Sequence, residues 1–248
     1  MNFIERQNTR WTGEQMASWS SVSKTVYILF PLVLYYLVTD ITDLLLWWAL
    51  NGVLAGNEAV FGLAAAHSGT VKGFIYLIGI VIYLIIIRKP AFSELASEKE
   101  NEPIAIRDIL IVILLSLVIS IGLNYLLSYL GITGVSDTYN EVKSQLYAVD
   151  IYFGAFFYGI CSPLVEEVLF RGIIYNRLKR VFPVSFSVVI SALLFGVFHG
   201  NIVQGIYGTL MGLFIAVMYE KYRDIKVPVI IHMVANLGVY VLTYTIWK

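Results

Sequence analysis

Residues 149–176 read VDIYFGAFFYGICSPLVEEVLFRGIIYN. About 20 mostly apolar residues in a helix cross the roughly 30 Å of bilayer hydrocarbon, and a helix satisfies its own backbone there. This run is long enough to be a membrane span, yet Glu166, Glu167 and Arg171 lie inside it. An ionisable side chain at the centre of a span costs about 2.5–3.5 kcal/mol on insertion scales and marks a functional position. On a helix Glu167 and Arg171 are four apart and pair. Glu166 points about 100° away and is left for another partner.

Outward from this stretch, further apolar runs recur at approximately 25–50, 71–87, 108–130, 183–200, 203–220 and 227–246. The chain of 248 residues is 58% hydrophobic and 14% charged, against about 25% charged for soluble domains. It therefore reads as all-α, a polytopic membrane helix bundle of about seven (seven to eight) transmembrane helices whose partner is the lipid bilayer. Seventeen basic and seventeen acidic residues give zero net charge, so no nucleic acid is expected as a partner. Cys161, the single cysteine, excludes an internal disulfide and a thiolate metal cage.

The first run contains Asp40 and Asp43, so it could be one span or two short helices. Loop charges favour one. Arg6, Arg10 and Lys24 precede it, Arg88, Lys89, Lys99 and Arg107 fall in 88–107, Arg177, Lys179 and Arg180 precede Pro183, and Lys221, Arg223 and Lys226 precede Pro228. The alternate connections 51–70 and 200–203 have no basic residue, and 131–148 has only Lys143. Seven spans with a cytoplasmic N-terminus satisfy the positive-inside bias, in a plasma membrane expected to be bacterial. Three regions follow: a polar, interfacial segment 1–24, read as retained because acidic residues and no small-residue cleavage site follow it; the N-terminal spans 25–107, closed by a solvated linker with Glu94, Glu98, Lys99, Glu100 and Glu102; and a C-terminal membrane block 108–248. His67 falls in an outer loop.

The C-terminal block holds two more polar clusters, Phe195-Gly196-Val197-Phe198-His199-Gly200-Asn201 and His232-Met233-Val234-Ala235-Asn236. The four-residue step puts the imidazole of His232 and the carboxamide of Asn236 on one helical face. Taken singly, each cluster also reads blandly, as an interfacial salt bridge, a turn histidine or interhelical hydrogen-bond glue. Two of the three histidines, an adjacent glutamate pair and a deep arginine in one five-helix block point instead to a site.

E-E-V-L-F-R at 166–171, F-G-V-F-H at 195–199 and H-M-V-A-N at 232–236 resemble the E-E-x-x-x-R, F-x-x-x-H and H-x-x-x-N motifs of the CPBP family. This family, also called the Abi group, comprises CAAX-type intramembrane endopeptidases and bacteriocin-processing or immunity-type membrane proteins. The resemblance covers about residues 108–246. It implies peptide hydrolysis in which Glu166 takes a proton from water and His199 holds that water and passes the proton to the leaving amine. His232 and Asn236 donate to the oxyanion, while Glu167 pairs with Arg171 and shapes the site. No cofactor is needed in this scheme.

The alternative chemistry is zinc held by Glu166, His199 and His232 with water in the fourth position. No H-E-x-x-H helix is present, and Glu166 cannot be both ligand and sole base. Ser162 and Ser191 lie nearby without a G-x-S-x-G elbow. Helix bookkeeping raises one difficulty: a straight fifth span carries His199 far from Glu166, so a helix beginning at the interface near Pro183–Ser187 and ending at mid-depth is expected.

The expected substrate is a peptide or lipidated protein cut near its terminus, such as a CAAX tail or a bacteriocin or pheromone precursor, entering from the cytoplasmic side. The alternatives are a non-catalytic scaffold or self-immunity protein that binds a membrane sensor kinase or toxin receptor, and last a transporter, for which no paired broken helices are found.

Overall fold

The computed structural model describes residues 2–54, 68–95 and 104–247. His67, Glu98, Lys99, Glu100 and Glu102 lie outside the described residues. Two short interfacial helices open the chain: α1 (Phe3–Asn8), started by a capping box between Asn2 and Glu5, and α2 (Gly13–Ala17), started by one between Thr12 and Gln15. The membrane helices are α3 (Ser21–Leu54), α4 (Ser68–Leu95), α5 (Ile106–Tyr129), α7 (Ile151–Leu178), α8 (Val184–Phe198), α9 (Ile202–Tyr222) and α10 (Lys226–Trp247). Six are long and apolar enough to cross a bilayer, and α8 is shorter. No strand occurs among the described residues. The chain is a multi-pass integral membrane helix bundle, with α3 packed along α4, α5 along α10, and α8 along α9.

The first span is one continuous helix, with Asp40 and Asp43 on its exposed face. The connection 131–148, read from the sequence as a loop, contains the amphipathic helix α6 (Asp137–Ala148), capped by the Ser136 hydroxyl.

Two readings of charge are corrected. Glu94 is not in a solvated linker: α4 continues to Leu95, and Glu94 is 1% exposed. Its carboxylate accepts from Arg177 Nε at 3.4 Å and Arg180 Nη1 at 3.0 Å, and pairs with Arg180 Nη2. Arg177 and Arg180 are accordingly structural groups as well as orienting charges. Pro31 explains part of this knot. It has no N–H to give the carbonyl four residues back, that of Tyr27, and Arg177 Nη1 donates to that oxygen. The same guanidinium donates to the side chain and the carbonyl of Gln7 on α1, at 3.0 and 2.8 Å. It also lies 3.9 Å over the Tyr27 ring. The N-terminal segment is thereby fastened to the end of α7.

The hairpin α8–α9 answers the depth problem. Fifteen residues make a helix of about 22 Å, too short to cross the hydrocarbon. It begins at Val184, inside the expected Pro183–Ser187 segment, and its short length keeps His199 within the bundle. The Tyr36 hydroxyl, near the middle of α3, donates to the carbonyl of Phe198 at 2.8 Å. Gly200 turns the chain with φ of 70°, and Asn201 caps α9 by accepting from Gln204 N–H. The two helices approach closely at small residues: a β-carbon on Gly196 would lie 2.0 Å from Thr209 Oγ1 and 2.5 Å from the Gly205 carbonyl oxygen.

Candidate active site

Helix α7 positions the glutamates. Two π turns, Phe157–Cys161 and Val168–Tyr175, flank a short α segment, Ser162–Glu167. Such turns recur at functional sites because they re-aim side chains within a helix. The first has a local cause. The Ser162 N–H bonds to Phe157, five residues back, and not to Tyr158, while Pro163 has no N–H to offer. The Tyr158 carbonyl oxygen is left without a backbone partner, and Asn236 Nδ2 donates to it at 3.1 Å.

Glu167 and Arg171 form the expected pair, 3.0 Å apart with both side chains fully buried. Arg171 also donates to the Gly212 carbonyl at 3.0 Å and lies 4.6 Å over the Phe195 ring. Glu167 Oε1 further accepts from His232 Nδ1 at 2.7 Å. A carboxylate only accepts, so the proton of neutral His232 is on Nδ1 and its Nε2 turns towards Glu166 Oε2, 3.8 Å away. Glu166 is 6% exposed. Its Oε1 accepts from Ser162 Oγ at 2.5 Å, whereas Oε2 is buried and has no hydrogen-bond partner among the described residues.

His199, at the C-cap of α8, donates from Nδ1 to the carbonyl of Phe195 at 2.8 Å, since that oxygen can only accept. Its Nε2 is therefore an acceptor in the neutral ring. The Phe195 ring meets both imidazoles edge-on, His199 at 5.0 Å and His232 at 5.4 Å. One aromatic side chain thus spaces the two histidines and Arg171.

A cavity of about 270 Å³ collects Glu166, Ser162, His199 and Asn236 on its wall. Of the six residues singled out from sequence, Glu166, His199 and Asn236 line it, and His232 stands behind Glu166. Glu167 and Arg171 form the fully buried layer beyond. Asn236 is already committed through one amide proton to Tyr158, leaving the second to point elsewhere. Among the described residues, no three His, Cys, Asp or Glu side chains converge at metal-binding spacing. Glu166, His199 and His232 are not gathered at such spacing.

The cavity lies towards one end of the bundle. Its remaining wall includes Asn124 and Leu127 near the end of α5, Tyr139, Lys143 and Tyr147 of α6, and Tyr240 of α10. It runs from the middle of the bundle to the end covered by α6, away from the Glu94–Arg177 knot. Glu166 lies twelve residues from the end of α7, about 18 Å along the axis, so it is deeper than a count of span ends suggests. Sequence reasoning missed Ser162 as the partner of Glu166, although its position four residues before the glutamate was a readable signal. It also missed α6 as a wall of the cavity.

The fold and this centre define the class: a polytopic membrane protein with a buried glutamate–histidine site inside a helix bundle. Residues 148–238 match the family model of type II CAAX prenyl endopeptidases, Rce1-like. A protein named as a candidate membrane peptidase, YdiL of Bacillus subtilis (strain 168), is 31% identical over 83 residues, 34% of each chain. The membrane-embedded CAAX protease MroQ of Staphylococcus aureus (strain USA300) is 26% identical over 168 residues, 63% of this chain and 65% of that one. The matches thus span about a third and about two thirds of those relatives. No solved structure matches the chain. With the three motifs in order, residues 148–238 are thus similar to the type II CAAX prenyl endopeptidase, Rce1-like, family, and the chain is similar to these two membrane proteins.

Proposed function

We propose that this protein is an intramembrane endopeptidase that hydrolyses a peptide bond by metal-free activation of water, in a bacterial plasma membrane with its N-terminus in the cytoplasm. The observation that carries the reading is the set of polar groups at one cavity: Glu166 Oε2 free to accept, His232 Nε2 3.8 Å from it, and His199 and Asn236 on the same wall.

Glu166 Oε2 takes one proton from a water whose oxygen bonds to the scissile carbonyl carbon, and the carbonyl oxygen becomes an oxyanion. The second amide proton of Asn236 donates to the oxyanion, and His232, held through Nδ1 by Glu167, completes the pair of donors once Nε2 also carries a proton. As the tetrahedral centre collapses, the C–N bond breaks. The proton held by Glu166 passes by way of His199 to the leaving amine. The second proton of the water stays on the acid, so the products are a carboxylic acid and an amine, which ionise to carboxylate and ammonium, and Glu166 is again a carboxylate. The substrate is a peptide or a membrane-associated protein that enters from the α6 end. With the N-terminus in the cytoplasm, that end is extracytoplasmic.

The test is Glu166→Gln, which keeps shape and removes the base, assayed on candidate precursor peptides in purified, metal-stripped protein. Loss of cleavage at normal protein levels supports the reading. Undiminished cleavage by Glu166→Gln refutes it, and cleavage that requires restored metal refutes the metal-free scheme. A cellular phenotype retained by the Glu166→Gln variant favours a scaffold or immunity role.

A further inference from the structure

We propose that Tyr36, on α3 and outside the residues that match the family model, is a positioning residue for His199 that acts through the carbonyl of Phe198. The proposal rests on the reading of His199 as the group that passes the proton. A helix leaves its last four carbonyl groups without N–H partners of its own, and at the end of α8 each of them can be followed. The Phe195 carbonyl accepts from His199 Nδ1 at 2.8 Å, that of Gly196 from the His199 N–H at 3.2 Å, and that of Val197 from the Gly200 N–H at 3.1 Å. The next carbonyl after the helix, that of His199, accepts from Asn201 Nδ2 at 3.3 Å. The Phe198 carbonyl differs. Its partner is the Tyr36 hydroxyl, at 2.8 Å and 162 residues away in the chain. Among the described residues, this is the one hydrogen bond that reaches these carbonyls from outside the turn 195–201 itself.

Packing alone does not account for the bond. Tyr36 is 40% exposed, so its ring is not held in the core, and a hydroxyl in hydrocarbon has no water to answer it. Tyr36 grips Phe198 twice, ring against ring at 5.4 Å and hydroxyl to carbonyl. The Phe198 ring is further enclosed by Tyr35 and Phe170, both at 5.2 Å. The peptide unit that joins Phe198 to His199 is thereby fixed from α3. On its other side the imidazole lies against the backbone of α9: a β-carbon on Gly208 would be 3.3 Å from His199 Nδ1 and 3.4 Å from Cε1. With Nδ1 tied to Phe195, Nε2 is the nitrogen left to take and release a proton at the cavity. A span that carries none of the motifs therefore sets the ring that moves the proton.

The experiment uses the full chain in nanodiscs, labelled with carbonyl-13C phenylalanine and 15N histidine. Phe198–His199 is the one Phe-His step in the sequence, so a single carbonyl-to-nitrogen correlation in solid-state NMR reports on the carbonyl that Tyr36 holds. The ring nitrogens of the histidines are seen in the same sample, and those of His199 are assigned by their absence in His199→Gln. Tyr36→Phe removes one oxygen and keeps the ring. In this variant the carbonyl signal is expected to move upfield as its hydrogen bond is lost, and the His199 ring signals are expected to broaden and shift as the imidazole loosens. The expected fall in kcat is about threefold to thirtyfold, with KM changed less than about twofold.

Tyr83→Phe separates positioning from general loss of stability. The buried Tyr83 hydroxyl, on α4, donates to the Pro31 carbonyl of α3 at 3.0 Å, and neither residue lines the cavity. This variant loses the same kind of bond and is expected to leave the Phe198–His199 signal, the His199 ring signals and kcat as they were. An unmoved carbonyl signal in Tyr36→Phe, unmoved His199 ring signals, an unchanged kcat in a protein that does cleave, or the same losses in Tyr83→Phe overturn the proposal. If no cleavage is found in the unsubstituted protein, the endopeptidase reading fails, and the two NMR signals alone decide whether Tyr36 positions His199.

Discussion

The carbonyl oxygen of Tyr158 and the side-chain amide of Asn236 are hydrogen-bonded at 3.1 Å, a contact between α7 and α10 that a proline creates. Pro163 and the π turn before it leave that oxygen without a backbone donor. Asn236→Ala should therefore cost about 1–3 kcal/mol, the penalty of an orphaned buried acceptor. In a Pro163→Ala background, where the helix regains an N–H, the same substitution should cost markedly less. Thermal unfolding of the four proteins of this cycle checks it; an equal cost in both backgrounds would show that the proline is not the cause.

Glu167 accepts from both Arg171 and His232. Removing Arg171 alone leaves a buried carboxylate with one donor, so Arg171→Met is expected to destabilise by about 3–5 kcal/mol. Combining it with Glu167→Gln should recover part of that loss without restoring cleavage, since His232 no longer faces a carboxylate. Unfolding midpoints and cleavage rates of the single and double variants separate the two effects.

The knot of Glu94, Arg177, Gln7 and Tyr27 ties α1 to α7. Arg177→Ala removes the donor to the Tyr27 carbonyl and to Gln7 together. Limited proteolysis is expected to cut the chain between α1 and α3 at least about tenfold faster in this variant, corresponding to one lost charged hydrogen bond. Unchanged cutting would mean that α1 is held by other contacts.

Gly196 has no room for a side chain against Thr209 and the Gly205 backbone. Gly196→Val is expected to force α8 from α9, carry His199 off the cavity wall, and abolish cleavage. Gly200→Ala, which strains a left-handed turn but meets no neighbour, should cost about 1–2 kcal/mol of stability with much smaller loss of rate. Parallel unfolding and activity measurements distinguish misplacement of His199 from general instability.

Burial pushes the ammonium of Lys143, on α6 outside the spans, below its ordinary range. A larger fraction of its amine is neutral and nucleophilic at a given pH. Acylation of Lys143, followed by mass spectrometry across pH, should reach half its maximal rate at lower pH than that of an ordinary exposed lysine. A peptide occupying the cavity should protect Lys143, which is on its wall. Labelling insensitive to every peptide that is cleaved would place the substrate elsewhere.

The sequence by itself determined the compartment, the seven apolar helices and the residues that do not belong in hydrocarbon, because span length and charge are local properties. Glu167 with Arg171 was legible for the same reason: four residues apart on one helix, they meet whatever surrounds them. Ser162 stands at the same spacing before Glu166, a signal the sequence reading did not use. Only the tertiary structure decided that His232 bonds to Glu167 and that Asn236 is committed to Tyr158. It also decided that Glu94 is buried with Arg177 and that α6 covers the cavity. Each of these depends on which helix faces which, across separations of 65 to 83 residues for the hydrogen-bonded pairs. Such facing is set by close packing at glycines and by carbonyls freed at Pro31 and Pro163. Neither the hydropathy nor the spacing of the chain encodes where those surfaces meet.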